Sequence, residues 1–289
     1  MSGAILLPAA GACLAGVLVY GFFVEPRRLR LERTQVELKG LPPELDGLRL
    51  AHLTDFHIGR SGFRETMALR AVALANALDP DLVVLTGDLV TRQHSAPRLL
   101  PILAKLRAKH GVWVALGNHD YNVTRATAWT AERRRAFGPE MWREMLGGVG
   151  VRLLENESHE LHVEGSSLWL AGCGDPYSER DDLPATLAEV PEGAPCVLLC
   201  HSPDIADHYA AQRVGLVLCG HTHGGQIRLP ILGPIWAPCR DYRGRATGFT
   251  RVGDTWLYAS RGVCAGNFFR LRCPPEVALV TLRAEGRRR

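Results

Sequence analysis

Residues 48–57 read LRLAHLTDFH, a short apolar run that ends in a polar cluster of the pattern Asp-x-His. Four later stretches repeat this plan: LVVLTGD at 82–88, VWVALGNHD at 112–120, VLLCH at 197–201 and LVLCGHTH at 216–223. Short continuous apolar runs bounded by Gly, Asp or Pro predict buried strands. Ligands of open α/β sheets bind beyond the carboxyl ends of the strands. One sheet containing all five strands would bring the five polar clusters to a single edge.

The side chains of these clusters are carboxylates, an amide and imidazoles, without a thiolate. Such an inventory of oxygen and nitrogen donors predicts a site for two divalent metal ions rather than a structural zinc site. Asp55 and His57 are two residues apart, so in extended geometry their side chains point the same way and both can bind one ion. The two oxygens of the Asp88 carboxylate can span two ions. Asn118 offers a neutral oxygen, which adds no negative charge to the site.

Helical segments alternate with the first of these strands. Residues 66–78 and 97–109 are predicted helices that return the chain to the strands ending at Asp88 and Asn118, a βαβαβ rhythm typical of parallel strands. A longer helix is predicted over 124–146. The turns and strands after His223 predict a second sheet with more antiparallel character. The segment between Asp120 and His201 holds no certain ligand and is a candidate for encoding substrate choice or for simple packing on the sheet.

The order of the clusters, D-x-H, G-D, G-N-H-D, a lone His and G-H-x-H, resembles the calcineurin-like metallophosphoesterase superfamily. The resemblance covers nearly everything after the first 45 residues. Three further features resemble the membrane-anchored branch of bacterial phosphodiesterases: GHTHGGQ at 220–226, Tyr20 with Glu25-Pro26, and Pro274-Pro275-Glu276. The resemblance implies an α/β fold of two facing mixed β-sheets flanked by helices.

The resemblance also implies a role for each polar residue of the clusters. In the superfamily pattern the first metal is bound by Asp55, His57, Asp88 and His223, and the second by Asp88, Asn118, His201 and His221. His119 is a candidate general acid or electrostatic stabiliser of the leaving group. Asp120 either orients His119 and raises its pKa or caps a helix. The two divalent ions are manganese, iron, zinc or a mixture, because the affinity order alone does not decide between them.

The N-terminal segment carries no charge from Ala4 to Val24. At ~1.5 Å per residue, a helix over this stretch reaches the ~30 Å of a bilayer core. No Lys or Arg precedes it, which disfavours a cleaved signal peptide. It therefore predicts a single transmembrane helix. The arginines that follow, Arg27, Arg28, Arg30 and Arg33, predict a single-pass protein of the cell membrane with its catalytic domain on the cytoplasmic side, and they could also contact anionic head groups.

Length and composition limit the functions and the domain organisation that remain possible. The 289 residues carry a formal net charge of +4, which is too small to indicate nucleic-acid binding. The eight cysteines lack the spacing of a zinc or redox motif, and no disulfide framework is expected. The predicted organisation is a transmembrane anchor (1–24), a basic linker with the first strand (25–45), a metallophosphoesterase domain (46–285) and a basic tail (286–289).

These observations predict a hydrolase of phosphodiester or pyrophosphate bonds that acts through a metal-bridging hydroxide. The predicted anchor favours a lipid-linked or amphipathic substrate, such as a lipid pyrophosphate, at the membrane. A hydrolase of soluble phosphodiesters or phosphomonoesters is the alternative. A catalytically silent scaffold for protein partners is a further alternative, but scaffolds of this fold lose metal ligands first and this chain has every one.

Overall fold

Two six-stranded sheets face each other in the computed structural model, which describes residues 3–59, 62–124, 137–208, 213–264 and 268–286. The first sheet has the spatial order β1 (Arg30–Glu37), β14 (Glu276–Arg283), β2 (Arg49–Leu53), β3 (Leu82–Thr86), β4 (Val112–Ala115), β5 (Val151–Leu153). The second has the order β12 (Gly248–Val252), β13 (Thr255–Ala259), β9 (Leu216–Cys219), β8 (Cys196–Leu199), β7 (Ser166–Gly172), β6 (Glu157–Val163). A separate hairpin pairs β10 (Arg228–Leu229) with β11 (Gly233–Pro234).

Both sheets are mixed, as the resemblance implies, but the division of strands differs from the sequence prediction. The polar clusters follow three strands of the first sheet, β2, β3 and β4, and two of the second, β8 and β9. The expectation that one sheet carries all five was therefore wrong. The prediction of more antiparallel character in the second sheet is confirmed, since it has two antiparallel pairs, β12/β13 and β6/β7, whereas the first sheet has one, β14/β2. An apolar run indicates that a strand is buried, but it does not indicate which sheet contains the strand.

Within the described residues the helices are α1 (Gly3–Val19), α2 (Gly62–Ala77), α3 (Ala96–Leu103), α4 (Pro139–Gly147), α5 (Leu183–Thr186) and α6 (Tyr242–Arg245). Residues of α2, α3 and α4 pack on the outer face of the first sheet and residues of α5 on that of the second. The crossovers α2 and α3 confirm the predicted βαβαβ unit. Only the end of the helix predicted over 124–146 is seen, as α4, and residues 125–136 lie outside the described residues. Residues 287–289 of the predicted basic tail also lie outside them.

The core has an inner layer between the sheets and an outer layer under the helices. Leu50 and Val84 of the first sheet join Val197 and Leu218 of the second in the inner layer. Their neighbours Ala51, Leu53, Val83 and Leu85 point outward and pack with residues of α2. Successive strand residues point to opposite faces, so a strand covered on both sides needs a continuous apolar run. This explains why the five runs lack polar alternation.

The N-terminal segment does not form the single long helix predicted from the sequence. It is divided into α1, a π-helical turn at Tyr20–Val24 and a 3₁₀ turn at Glu25–Arg27. Among the helices in the described part of the chain, none combines the length and the apolar character needed to cross a membrane.

The turn after α1 packs on the rest of the fold. The Phe22 ring lies edge-on to Phe269, with 4.9 Å between the ring centroids. The amide of Arg270 donates to the carbonyl of Gly21 at 2.9 Å. The buried carboxylate of Glu25 accepts a hydrogen bond from the amide of Cys273. Residues 21–25 therefore belong to the packed structure.

We expect Leu50→Ala to lower the free energy of unfolding by about 2–5 kcal/mol, because Leu50 is fully buried between the sheets. Leu69→Ala is the matched control, since Leu69 is exposed on α2, and its effect should stay within about 0.5 kcal/mol. Urea denaturation of both variants measures the difference. Equal losses would contradict the assignment of the inner layer as the core.

Candidate metal centre

The polar clusters of the two sheets meet at one end of the molecule. The amide of Asp55 donates to the carbonyl of Gly87 at 3.0 Å, which connects the ends of β2 and β3. The amide of Gly220 donates to the carbonyl of His201 at 3.0 Å, which connects the ends of β8 and β9. All seven predicted ligands lie in this region, and every one except His223 is buried. The structure therefore brings together the residues that the sequence singled out.

Asp55, His57 and His223 form a first group. Asp55 Oδ1 lies 3.6 Å from Nε2 of His57 and 3.6 Å from Nε2 of His223. The two Nε2 atoms are 3.3 Å apart. Ligands bound at about 2.1 Å to one ion, in tetrahedral to octahedral geometry, lie about 3.0–3.4 Å from one another. The three donors therefore have nearly the spacing that a shared metal ion requires.

A second group contains Asp88, His201 and His221, whose donor atoms all lie within 4.8 Å of one another. His201 Nε2 is 3.2 Å from Asp88 Oδ2. Asn118 adds an oxygen to the buried donors: its amide nitrogen donates to the carbonyl of Val123 at 2.6 Å, and its Oδ1 has no hydrogen-bond partner. Nε2 of His221 is likewise buried and without a partner. Buried polar atoms are normally hydrogen-bonded, so these donors fit a role as metal ligands.

The carboxylate of Asp88 lies between the two groups. Its Oδ1 accepts a hydrogen bond from the amide of His119 at 2.9 Å. Its Oδ2 is 3.5 Å from Nε2 of His57 in the first group and 3.2 Å from Nε2 of His201 in the second. A single carboxylate therefore reaches donors of both groups, as a residue that bridges two ions must.

Carbonyl groups fix the orientation of two of the imidazoles. Nδ1 of His201 lies 2.6 Å from the carbonyl oxygen of Thr86, and Nδ1 of His223 lies 3.2 Å from that of Cys264. Since a carbonyl only accepts, Nδ1 carries a hydrogen in each ring and Nε2 faces the centre. Burial opposes protonation of His201, but the charge of Asp88 outweighs it and raises the pKa of this ring well above its usual value, so a metal ion would displace a proton from its Nε2. A hydrogen on Nδ1 is the arrangement that metal binding through Nε2 requires.

The protonation states also suit cation binding. Burial lowers the pKa of His221 and of His223 to about 3, so both rings are neutral. Burial opposes ionisation of Asp88, but nearby His201 and His119 outweigh it and hold the pKa of this carboxyl well below its usual range. Burial, with the charge of Asp88, raises the pKa of Asp120 to about 7. The site thus concentrates acidic groups away from water, where a cation stabilises their charged form.

The backbone reaches this arrangement through left-handed turns rather than the extended geometry expected for Asp55 and His57. Five candidate ligands have positive φ: Asp55 (58°), His57 (47°), Asp88 (50°), His221 (65°) and His223 (51°). Only a few per cent of non-glycine residues adopt such angles, and they concentrate at functional sites. The expectation of extended geometry was wrong because the strands end before the ligands and the chain turns sharply there.

Two glycines permit the close packing of these turns. A Cβ on Gly117 would lie 2.5 Å from Asp88 Oδ1, and a Cβ on Gly220 would lie 2.1 Å from Thr54 Oγ1 and 2.5 Å from Asp55 Oδ2. Real Cβ atoms essentially never approach other atoms so closely. The Gly in G-N-H and in G-H-x-H is therefore a steric requirement of the site.

His119 lies at the edge of the centre, with its side chain 24 % exposed. Its Nδ1 is 3.1 Å from the carbonyl oxygen of Thr91, and its Nε2 is 4.0 Å from Asp88 Oδ2. Asp120 is fully buried and accepts hydrogen bonds from the amides of Gly117 and Val90, at 2.9 and 3.1 Å. The hydrogen-bond partner of the His119 ring is thus the carbonyl of Thr91, while Asp120 connects two loops of the site.

Sequence reasoning missed several residues around the donors. Thr54 Oγ1 donates to Asp55 Oδ2 at 2.9 Å, and its position directly before Asp55 was an available signal. Arg64 Nη1 donates to the carbonyl of His57 at 3.1 Å, and Arg270 donates to that of Cys264 at 2.6 Å. No local pattern distinguishes these arginines from others in the chain, although the carbonyls that they contact are only seven and six residues away in sequence.

Tyr177 is a further missed residue, and it comes from the segment between Asp120 and His201. Its ring centroid lies 5.1 Å from that of His221, and the side chain is 42 % exposed. It therefore offers an aromatic face beside a candidate ligand, on the solvent side. This segment of the chain does reach the centre, through a short 3₁₀ turn at Pro176–Ser178.

Comparisons with protein families and with individual proteins both find that this chain is similar to phosphoesterases. The family described as calcineurin-like phosphoesterase matches residues 48–225. The uncharacterized metallophosphoesterase YkuE of Bacillus subtilis is 30% identical over 96% of this chain and 93% of its own length. Phosphodiesterase YaeI of Escherichia coli is 30% identical, over 81% and 82%. The UDP-2,3-diacylglucosamine pyrophosphatase LpxG of Chlamydia trachomatis is 26% identical, over 91% and 92%.

Asp88→Asn should reduce bound metal from two ions per chain towards one or zero, because among the carboxylates of the described residues only Asp88 reaches donors of both groups. Asn118→Ala removes a neutral donor of one group and should retain more metal. Mass-spectrometric metal analysis after reconstitution with manganese measures both contents. Two tightly held ions in Asp88→Asn would contradict the bridging position of Asp88.

Proposed function

We propose that this chain, which belongs to the calcineurin-like phosphoesterase family, is a two-metal hydrolase of phosphodiester or pyrophosphate bonds. The family uses two divalent metal ions. In our proposal the first is held by Asp55, His57, Asp88 and His223, and the second by Asp88, Asn118, His201 and His221. The observation that carries the proposal is the position of Asp88 Oδ2 between Nε2 of His57 and Nε2 of His201.

Two ions held there would acidify a water molecule and neutralise the oxygens of a phosphoryl group. The contribution of the chain is to hold the donors in place before substrate binds. Its buried donors without partners, the carbonyl-oriented imidazoles and the turns fixed by Gly117 and Gly220 support this role. Donors that are already positioned need little reorganisation during the reaction.

His119 is the proposed general acid. The Thr91 carbonyl keeps one hydrogen on Nδ1, so the acid is the imidazolium form, which passes its second hydrogen from Nε2 to the leaving oxygen and returns to the neutral ring. The ring is partly exposed and adjoins Asp88, which places it between the donors and solvent. Asp120 is proposed to support this residue indirectly, because its carboxylate fixes the loop that begins at Gly117.

We propose a lipid-linked or amphipathic substrate over a small soluble diester. The names of two relatives support the two alternatives: the Chlamydia trachomatis relative is a UDP-2,3-diacylglucosamine pyrophosphatase and the Escherichia coli relative a phosphodiesterase. The specific observation that favours the former is a set of large apolar side chains exposed to solvent, which includes Phe22, Phe23, Ile231, Leu232 and Trp236. An acyl-linked substrate would reach such a surface from a bilayer.

A substrate panel tests the proposed function. The purified full-length chain, reconstituted with manganese, iron or zinc, is assayed on bis(p-nitrophenyl) phosphate, p-nitrophenyl phosphate and UDP-2,3-diacylglucosamine in mixed micelles. We expect metal-dependent hydrolysis of the diester and faster hydrolysis of the lipid pyrophosphate. Hydrolysis of the monoester alone, or none with any metal, would contradict the proposal.

His119→Ala should retain both metal ions but slow turnover by about 10²–10⁴-fold if His119 is a full general acid. The loss should shrink for a nitrophenyl leaving group, which needs little protonation, and should be large for an alkyl one. Metal analysis and kcat for a series of leaving groups measure this. The same loss for every leaving group would indicate that His119 binds phosphate instead of donating a proton.

Tyr177→Ala should raise KM more than it lowers kcat, because the half-exposed ring adjoins His221 without being a donor to a metal. Tyr177→Phe keeps the aromatic face and should restore most of the affinity. Steady-state kinetics with the preferred substrate of the panel measure both parameters. A fall in kcat with unchanged KM, or no rescue by phenylalanine, would show that the ring does not contact substrate.

A further inference from the structure

The β10–β11 hairpin exposes an unusual set of apolar side chains. At its tip Ile231 is fully exposed and Leu232 is 70 % exposed, and Trp236, just after the hairpin, is 50 % exposed. Ile231 also has a φ of +69°, an angle that a β-branched residue rarely adopts. Single exposed apolar residues are common, but several together on one short loop indicate a contact with an apolar partner.

The hairpin is attached to the metal centre. It begins five residues after His223, and a Cβ on Gly225 would lie 2.6 Å from Pro234. The amide of Ile235 donates to the carbonyl of Ile227 at 3.1 Å, which closes the base of the hairpin. The guanidinium of Arg228 donates to the carbonyl of Gly224 at 3.2 Å. The apolar tip is thus held at a fixed position relative to the candidate ligand His223.

A basic cavity of about 560 Å³ lies between the hairpin and the N-terminal segment. Arg28, Arg228 and Arg272 contribute three positive charges to its lining, and Glu25 one negative charge. The carboxylate of Glu25 is buried and accepts from the amide of Cys273, so it faces the protein. The cavity therefore presents a net positive charge to solvent, beside Ile231 on one wall and Tyr20 on the other.

The exposed apolar residues of the N-terminal segment continue this surface. Phe22 and Phe23 are 44 % and 61 % exposed and lie two and three residues after Tyr20. Phe22 is held in place by Phe269. Tyr20 of this segment and Ile231 of the hairpin both line the arginine cavity, so the cavity separates the two apolar elements.

We propose that this surface, formed by the hairpin, the arginine cavity and residues 20–24, binds the head-group and upper acyl region of an anionic phospholipid bilayer. The apolar side chains enter the acyl region while the three arginines contact lipid phosphates, a combination of apolar burial and charge attraction typical of peripheral membrane binding. The hairpin leads directly to His223, so binding in this way brings the metal centre to the membrane surface. The inference deepens the proposed function. It rests on that function for the use of a lipid-linked substrate.

Tryptophan quenching tests the position of the hairpin. The full-length chain is mixed with vesicles of phosphatidylcholine and phosphatidylglycerol that carry bromine on the acyl chains, and its fluorescence is compared with unbrominated vesicles. We expect bromine to quench part of the tryptophan fluorescence of the chain. In Trp236→Phe that quenched part should be missing. The matched control is Trp256→Phe, because Trp256 is packed in β13, and it should keep that quenched part. Identical quenching in the wild type and Trp236→Phe would overturn the proposal.

Vesicle binding tests the apolar side chains of the hairpin and the arginines of the cavity separately. Ile231→Asp combined with Leu232→Asp should weaken binding about tenfold or more, whereas Met141→Asp, at an exposed position on α4, should not. Arg228→Gln and Arg272→Gln should each weaken binding to phosphatidylglycerol vesicles about fivefold and leave binding to neutral vesicles unchanged. Equal effects of the hairpin and Met141 variants would overturn the surface assignment.

Hydrolysis of bis(p-nitrophenyl) phosphate without vesicles separates this proposal from the proposed function. Every variant except Arg228→Gln should retain wild-type turnover, since none of the other altered residues contacts the metal centre, whereas Arg228 contacts the turn directly after His223. Metal-dependent turnover without quenching of Trp236 would overturn the bilayer surface and leave the hydrolase standing. Quenching of Trp236 in a chain without metal-dependent turnover on any substrate would support the surface and overturn the hydrolase.

Discussion

The structure depends on one buried carboxylate that two sheets must share. Asp88 follows a strand of the first sheet, yet its Oδ2 lies 3.2 Å from His201, which follows a strand of the second. A carboxylate removed from water in this way is stable only when nearby groups compensate its charge. The imidazoles around it and the amide of His119 provide part of that compensation, and the two divalent ions of the family complete it in our account.

This requirement explains the unusual backbone around the centre. Donors from five loops must approach within a few ångströms, which regular strands cannot achieve, so five candidate ligands adopt left-handed angles. Each such residue carries strain of about 1–3 kcal/mol. The inner apolar layer and the glycines at 117 and 220 hold the loops in spite of that strain. Part of the stabilisation from packing therefore offsets the strain of keeping the donors in position before any ligand binds.

Much of this could be predicted from the sequence, because buried strands and their polar ends leave local patterns. β3 and β9 coincide with the apolar parts of the stretches at 82–88 and 216–223, and the donors that follow them lie together. Local patterns could not assign β8 and β9 to a second sheet, since burial on both faces looks the same in either sheet. Nor could they show that the uncharged N-terminal stretch ends its α-helix at Val19, or that Tyr177 contacts His221. Those features arise from contacts between residues distant in sequence.

The central claim is that Asp88 bridges two metal ions. Anomalous X-ray diffraction from crystals of the manganese-loaded chain tests it most directly. Our account predicts two anomalous peaks about 3.5–4 Å apart, with the Asp88 carboxylate bound to both, Asp55, His57 and His223 at one, and Asn118, His201 and His221 at the other. A single peak, or two peaks of which only one contacts Asp88, would contradict it.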